Sequence, residues 1–345
     1  MQISIENDFC KRCCVAAVKG FLIGSVALFG MIGGYAYVKK RAVEKPPEGA
    51  RIVEISLNEP QRLDRNLGIA LKEPVYLEAT PQPLQPIQED FPEVDRIYQL
   101  FTLDSSKLPL VETVAYTSRV PWLKDRPAWI ADYASHYETS RHFIARSLNK
   151  KIDYFTQKIS PGDRFNVFKR DKQINFHLLI DLSRCRMWFY AMDLEANERI
   201  LLKTYPVGIG RVDQTKTSGF LTPVGKYLLG NKVAIYKPET LGFFQDNKIE
   251  MIRVFGTRWI PFEQEVEGCS EPAKGLGLHG APWVPDASGQ LVEDKSKISK
   301  YDSDGCIRLA SQDMEEIFSI IITKPTRVEL VTDVHQAKLP GIERK

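Results

Sequence analysis

One stretch, "KYDSDGCIRLAS" at residues 300 to 311, sets a cysteine behind Asp302, Ser303, Asp304 and Gly305 and ahead of Ile307 and Arg308. A thiol attacks carbon only as thiolate, and a neighbouring imidazole can take its proton and later hand it to a departing amine. Cys306 therefore calls for a histidine. Of the five in the chain, His136 and His142 fall in a helical stretch, His177 alternates within a strand, and His335 lies near the end. His279, in "GLGLHGAPW", is left, 27 residues upstream of Cys306 and flanked by glycines that allow close backbone approach. Gly305 suits a tight turn whose consecutive backbone N–H groups can face the oxygen of a tetrahedral intermediate. These residue types fit cysteine-dependent acyl transfer. Taken alone, they fit a buried, inert thiol as well, because cysteine is among the residues most often buried.

The elements around them are read from period and punctuation. From residue 172 onward Ile174, Phe176, Leu178 and Ile180 alternate with Asn175, His177, Leu179 and Asp181, and "CRMWFYAMD" and "RILLKTYPVGIG" continue the strand pattern. One helix stands out late: Met314, Ile317, Phe318 and Ile321 share a face, Ser311 is the expected N-cap, and Asp313, Glu315 and Glu316 suit the first turns. Residues 172–334 thus read as a mainly β domain with one strong helix, with a tail at 335–345.

Within that domain "YPVGIG", "TPVGKY", "LHGAPW" and "SDGCIRL", with a helix and "RVELV" after them, resemble the catalytic domain of the L,D-transpeptidases, the YkuD family. The resemblance implies a β-sandwich. It also implies a cysteine that attacks the carbonyl at the third residue of a peptidoglycan tetrapeptide stem, releases D-alanine, and passes the acyl group from its thioester to an amine. Carried onto this chain, Cys306 matches the nucleophile and His279 its base, with the Gly280 backbone orienting the imidazole. The Gly305 and Cys306 N–H groups match the oxyanion donors, and Ser303 and Arg308 match polar positions beside the nucleophile. Arg308 suits either a substrate carboxylate or a structural tie to its loop. Trp283 is read as a pocket wall or as packing. Cys185 matches no catalytic position and is expected to be buried; Cys269, in "EVEGCSEPAKG", falls in an expected lid loop.

Two departures stand out. The family usually carries histidine before the Gly-Cys pair, where this chain has Asp304, and the segment from His279 to Ser303 is longer than usual, implying an extra loop. A carboxylate about 4 Å from a thiolate costs on the order of 4 kcal/mol at an effective dielectric of 20. Asp304 is therefore expected to point away, to pair with a cation such as Arg308 or Lys300, or to bond to His279. Water as acceptor gives an L,D-carboxypeptidase instead. A reading from another class, prompted by Asp304, is a non-catalytic peptidoglycan-binding scaffold with a decayed site.

Upstream, residues 109–171 order as strand, two helices and strand. Pro127 suits a first helical position, Trp129, Ile130, Tyr133, Ala134 and Tyr137 fall at helical spacing, and Thr139 or Ser140 caps a second helix carrying Phe143, Ile144 and Leu148. "YFTQKI", "SPGD" and "RFNVFK" come next. With "PAWIADYASHY", "SLN" and "ISPGDRFNVF" in order, this segment resembles a LysM module, a small α+β domain that binds glycans containing N-acetylglucosamine. A two-helix spacer whose aromatics are simply core stays open. Between Pro46 and Pro92 there are eight prolines, so 46–108 reads as a stalk or small subdomain.

Within residues 1–45, Phe21 to Val38 gives 18 residues without a charge, about 27 Å of helix, which just spans a bilayer core. An uncleaved anchor is the expectation, with a cleaved signal peptide as rival. Lys11, Arg12 and Lys19 lie on one side, Lys39, Lys40, Arg41 and Lys45 on the other, so charge counting alone leans slightly against an exported C-terminal domain. The formal charge of +3 against 47 basic and 44 acidic residues lacks the footprint of a nucleic-acid binder. Cys10, Cys13 and Cys14 have no second ligand pair, and no ligand cluster surrounds the site, so neither metal nor other cofactor is called for. Taken together, the resemblances imply a single-pass membrane protein whose enzyme domain meets stem peptides and glycan strands in the periplasm or cell envelope.

Overall fold

A computed structural model describes residues 94–149 and 158–344, all within one compact unit, Thr80–Lys345. The expected membrane segment at 21–38, the stalk to residue 92 and most of "YFTQKI" lie outside the described residues. Among those described, no helix is long and apolar enough to cross a membrane.

The upstream segment runs α1 (Tyr98–Phe101), β1 (Val111–Ala115), α2 (Ile130–His136), α3 (Arg141–Asn149) and β2 (Arg164–Phe168). Strands β1 and β2 pair antiparallel, Val111 facing Phe168 and Ala115 facing Arg164. Helix α2 starts three residues later than Pro127 suggests. Asp132 decides this: its carboxylate accepts the Trp129 N–H at 2.8 Å and is clamped by Arg126, which fixes the first turn at Ile130. Ser140 caps α3 by accepting the Phe143 N–H at 3.0 Å, and its own hydroxyl donates to the Ser319 carbonyl. Thr139 instead accepts the Phe168 N–H at 2.9 Å.

Buried Asn166 holds this segment together. Its Nδ2 donates to the Leu100 and Thr102 carbonyls, its Oδ1 accepts from Thr113, and its N–H donates to Ser147. With every polar atom matched, burying the amide costs little.

The downstream segment is built on β3 (Ile174–Asp181), β4 (Arg186–Asp193), β5 (Glu198–Pro206), β6 (Ile209–Gly210), β7 (Gly225–Leu229) and β8 (Ala234–Ile235). A hairpin, β9 (Leu241–Phe244) and β10 (Asn247–Glu250), leads to α4 (Ile252–Phe255), β11 (Arg258–Glu267) and β12 (Gly277–Gly280). A second hairpin, β13 (Trp283–Pro285) and β14 (Leu291–Glu293), precedes β15 (Tyr301–Ser303), β16 (Ile307–Leu309), α5 (Ser311–Ile321), β17 (Thr326–Val331) and β18 (Ile342–Glu343).

One hydrogen-bonded path runs β16-β12-β11-β7-β17-β3-β4-β5-β18, with β8 on β11. It curls around α5. Met314, Ile317, Phe318, Ile320 and Ile321 share a single apolar cluster with Ile307 and Leu309 from one end of the path and Leu178 and Ile180 from its middle. The protein is thus mainly β with few helices, and the opposed faces expected of a sandwich come from one curled sheet.

The period-2 pattern of β3 understates its burial. His177 is buried against Glu329 at 2.9 Å, and Leu179 joins Trp188, Tyr190 and Met192 beneath Val331, Val334 and Leu339 of the C-terminal segment. Both faces are covered, so nearly every residue is inside.

Ser311 also departs from expectation. The residue before the helix is Ala310, and the Ser311 N–H donates to the Glu293 carboxylate of the second hairpin while its Oγ accepts from Trp283 Nε1 at 3.3 Å. The cap comes from across the fold, with an acidic group at the positive helix end.

The upstream and downstream segments share a core. Ring contacts run from Phe101 to Phe143 (5.0 Å), Phe168 (4.6 Å), Phe176 (5.8 Å) and Phe189 (5.4 Å). Phe143→Ala should cost about 3–5 kcal/mol, the range for emptying a buried phenylalanine site. In urea the loss should appear in one transition, with fluorescence and far-UV circular dichroism coinciding; two separated transitions would show that the segments unfold independently.

Candidate active site

Strands β12 and β16 are parallel neighbours, with Leu278 beside Ile307, His279 beside Arg308 and Gly280 beside Leu309. Residues 27 apart in sequence are thereby placed one strand apart. Cys306 precedes β16 and lies two residues from Arg308, hence on the side of the sheet toward which His279 projects.

The imidazole is buried at 4% exposure. Phe255 meets it edge-on at 5.5 Å and Trp259, its register partner on β11, lies 6.0 Å away. Its Nδ1 is 2.8 Å from the Gly280 carbonyl. A carbonyl only accepts, so Nδ1 carries the proton and Nε2 is left as acceptor, the tautomer a base requires. Burial, opposed by the Gly280 bond and aided by the Arg308 charge, lowers its pKa to about 4.

Cys306 is half-buried, and its Sγ–H donates to the Gly275 carbonyl at 3.6 Å. Burial pushes the thiol up to about 11; the Gly277 N–H and the Arg308 guanidinium favour the thiolate, and Asp304 disfavours it. At neutral pH the pair therefore rests as thiol and neutral imidazole.

Ser303 shapes the nucleophile's turn. It is almost fully buried, its Oγ accepts the Gly305 N–H at 3.1 Å, and its hydroxyl donates to the Cys306 carbonyl at 2.7 Å. This corrects the expected oxyanion pair, because the Gly305 N–H is committed inside the turn. Gly305 has φ +118°, and a Cβ there would stand 3.0 Å from the Leu221 carbonyl oxygen and from a Leu276 methyl, so no other residue fits without strain. Thr222, fully buried, accepts the Gly210 N–H at 2.7 Å and donates to the Gly305 carbonyl at 3.0 Å.

Asp304 pairs with neither Arg308 nor Lys300 nor His279. Its Oδ1 accepts from Arg211 Nη2 at 2.5 Å, since β6 runs parallel to β15 and brings residue 211 alongside. Arg308 binds Asp302 at 3.0 Å, and Lys297 binds the same carboxylate at 3.1 Å. Of the two readings of Arg308, the tie to its own loop is therefore present.

Trp283 lies in the second hairpin, which with the turn at Lys295–Lys297 makes up the extra length between His279 and Ser303. The expected lid is largely sheet: residues up to Glu267 extend β11 along β7. Residues 268–273 are pinned by the Ser270 N–H to the Val224 carbonyl, the Ala273 N–H to Glu265 and the Tyr227 hydroxyl to the Glu271 carbonyl. Cys269 donates to the Lys226 carbonyl at 3.1 Å, while Cys185 is fully buried with its thiol pushed up to about 12. Cys10, Cys13 and Cys14 lie outside the described residues.

Arg211, Thr222, Phe255 and Trp259 escaped the sequence reading. Only Thr222 carried a signal, its place in "TPVGKY".

Iodoacetamide alkylation of Cys306 should accelerate about tenfold per pH unit from pH 7 to 10, tracking the thiolate fraction of a thiol titrating near 11. A plateau near neutrality would reveal a thiolate–imidazolium pair instead. Asp304→Asn should raise the rate at a fixed pH by about fivefold or less, since that carboxylate is solvent-exposed and its field is screened.

Two solved structures are similar to the chain: the Bdellovibrio bacteriovorus protein Bd1075 (14% identity, TM-score 0.31, 45% of this chain and 47% of that one) and the helical cell shape determining protein Pgp2 from Campylobacter jejuni (16% identity, TM-score 0.30, 50% of this chain and 54% of that one). The chain thus spans about half the length of each. No curated protein is matched by the sequence. Residues 175–330, the stretch that holds the thiol, the imidazole and most of the curled sheet, match the family model of the L,D-transpeptidase catalytic domain (YkuD).

Proposed function

We propose that the protein is a cysteine L,D-transpeptidase of peptidoglycan. The observation that supports this most directly is the His279 tautomer on the strand beside Cys306: Nδ1–H held by the Gly280 carbonyl, Nε2 left to accept. The match of residues 175–330 to the family model supports peptidoglycan stems as the substrate class.

In this reading Cys306 Sγ bonds to the carbonyl carbon of the third stem residue as its proton passes to His279 Nε2. The tetrahedral intermediate collapses, the C–N bond breaks, and Nε2 returns the proton to the departing D-alanine nitrogen, leaving a thioester. An amine from a neighbouring stem then attacks, losing its proton to Nε2, and Cys306 leaves and is reprotonated. A resting thiol and neutral imidazole suit this sequence, because the base is unprotonated when the acyl donor arrives.

The segment around residues 21–38 anchors the chain in the cytoplasmic membrane, the proline-rich stretch from 46 to 93 acts as spacer, shorter than the 46–108 expected because Ile97, Leu100 and Leu108 pack into the core, and the catalytic domain stands in the periplasm. The LysM-like segment holds glycan. A cavity of about 400 Å³ lined by Trp129, Tyr116, Ile130, Arg141 and Ile159 supports that role, offering aromatic surface beside a cation.

Purified tetrapeptide muropeptides incubated with the protein should give cross-linked product with loss of D-alanine, read by mass. Cys306→Ala should abolish it, and His279→Ala should lower turnover by about 10²- to 10⁴-fold, the usual contribution of a general base. Tripeptide alone would mean that water is the acceptor; no product from a folded chain would return the protein to a scaffold role. Activity should fall as pH drops toward 4, where the imidazole takes up a proton and stops accepting one.

A further inference from the structure

Arg146 on α3 is half-buried, and its Nε and Nη2 are shut off from water with no acceptor among the described residues. The Phe101 ring, its centroid 6.0 Å from the guanidinium carbon, stands at the outer limit of a cation–π contact. Burial lowers the guanidinium's pKa from its ordinary value, outweighing the attraction of Glu316 and Glu315. An apolar side chain of similar volume would fold there at lower cost, and the proton relay at Cys306 makes no use of the charge. A buried donor pair of this kind calls for an acceptor from outside the chain.

Arg146 lines a cavity of about 450 Å³ formed from α1, α3 and α5, within the size range of small-molecule sites. Tyr98 and Phe101 border it three residues apart on α1, hence on one face of that turn, with Tyr98 59% exposed. Asp95 and Glu316 also line it. Charge decides what fits. Lys203 on β5 reaches Glu316 at 2.7 Å, Asp313 at 3.4 Å and Asp95 at 3.5 Å, while Glu315 is matched by Arg258 at 3.7 Å. Three carboxylates thus face two cations, Lys203 and Arg146, so an anionic ligand adds to an excess of negative charge and a cationic one meets Arg146. An uncharged ligand avoids both, provided it offers acceptors to Arg146 and donors to the acids. The Nε–H and Nη2–H of a guanidinium run parallel and suit two acceptors side by side, which neighbouring oxygens of a sugar ring supply. Glu316 takes Lys203 and the Tyr205 hydroxyl on Oε1, leaving Oε2 for a ligand hydroxyl.

We propose that this cavity is a subsite for an uncharged saccharide, one sugar ring lying against Tyr98 and Phe101 with neighbouring oxygens on Arg146 and a hydroxyl donating to Glu316. No hydrogen bond holds the Nε and Nη2 edge, so the side chain is free to turn it toward the ligand. The subsite is distinct from the glycan cavity at Trp129. That one takes Arg141, Ile144, Ala145 and Leu148 from α3, and Arg146 projects from the opposite side of the same helix.

The test is calorimetry with the trisaccharide of N-acetylglucosamine and the full chain carrying Trp129→Ala, which strips the aromatic surface from the other cavity. The trisaccharide should still bind. Adding Arg146→Met should weaken binding about tenfold or more, the scale of hydrogen bonds to a charged group, and adding Tyr98→Ala should weaken it severalfold. Inorganic phosphate and benzoate should neither bind nor compete. Without ligand, Arg146→Met should melt no lower than the wild type, because it removes an uncompensated buried cation, so its loss of binding is not loss of folding. Tyr98→Ala, at an exposed position, gives a second reading free of the core. Affinity unchanged by both Arg146→Met and Tyr98→Ala would overturn the subsite, and so would phosphate or benzoate binding that Arg146→Met abolishes, which would mark an anion site instead. Loss of all saccharide binding with Trp129→Ala alone would also overturn it while keeping the LysM-like role. Muropeptide turnover is assayed separately, since it depends on Cys306 and His279 and stands or falls apart from this cavity.

Discussion

The parallel pairing of β12 with β16 is the constraint on which the site depends. A parallel pair requires a crossover, and here the intervening residues 281–306 include the second hairpin, whose Glu293 and Trp283 meet the first residue of α5. The crossover that brings His279 beside the nucleophile strand thus also fixes the start of the helix around which the sheet curls. Gly277 and Gly280 at the ends of β12 let it lie close to its neighbours: a Cβ on Gly277 would stand 2.5 Å from the Ile260 carbonyl oxygen. Chemistry and core packing are coupled through one four-residue strand.

Burial of that strand sets the electrostatics. Phe255 and Trp259 remove water from the imidazole, and the same desolvation raises the thiol, so neither group is charged at rest. An uncharged thiol reacts slowly with small electrophiles and oxidants, whose attack depends on thiolate character. Two other thiols of the described residues differ in surroundings: Cys185 is sealed in the core, and Cys269 lies at the β7–β11 edge with its thiol on the Lys226 carbonyl, whereas Cys306 precedes the strand that pairs with His279.

Local signals in the sequence pointed to the right neighbourhoods and long-range ones were silent. Turn chemistry around Gly305 and the elimination of four histidines are readable because each depends on a few adjacent residues. In the structure His136 stacks on Trp122, His142 meets Phe318, His177 binds Glu329, and His335 sits in a turn of the C-terminal segment. Partners from distant strands were invisible. Glu293 taking the Ser311 N–H, Trp259 covering His279 and Arg211 reaching Asp304 all require the sheet order, which no local pattern encodes. Periodicity likewise showed which faces of the upstream helices are apolar but not what covers them, so the aromatic column from Phe101 to Phe189 could not be anticipated.

Asp304 shows how sheet order resolves what sequence leaves in conflict. A carboxylate two residues from a nucleophilic thiol works against thiolate formation, and a cation drawn from the same strand, Arg308, would have been the simplest remedy. Arg308 is already held by Asp302, which is shared with Lys297. The compensating charge comes instead from the end of β6, a strand of two residues whose pairing with β15 sets residue 211 beside 304. Because that pair faces solvent, water screens its charges from the thiol. A group that would repel a thiolate is thus turned outward, where its charge opposes that anion least.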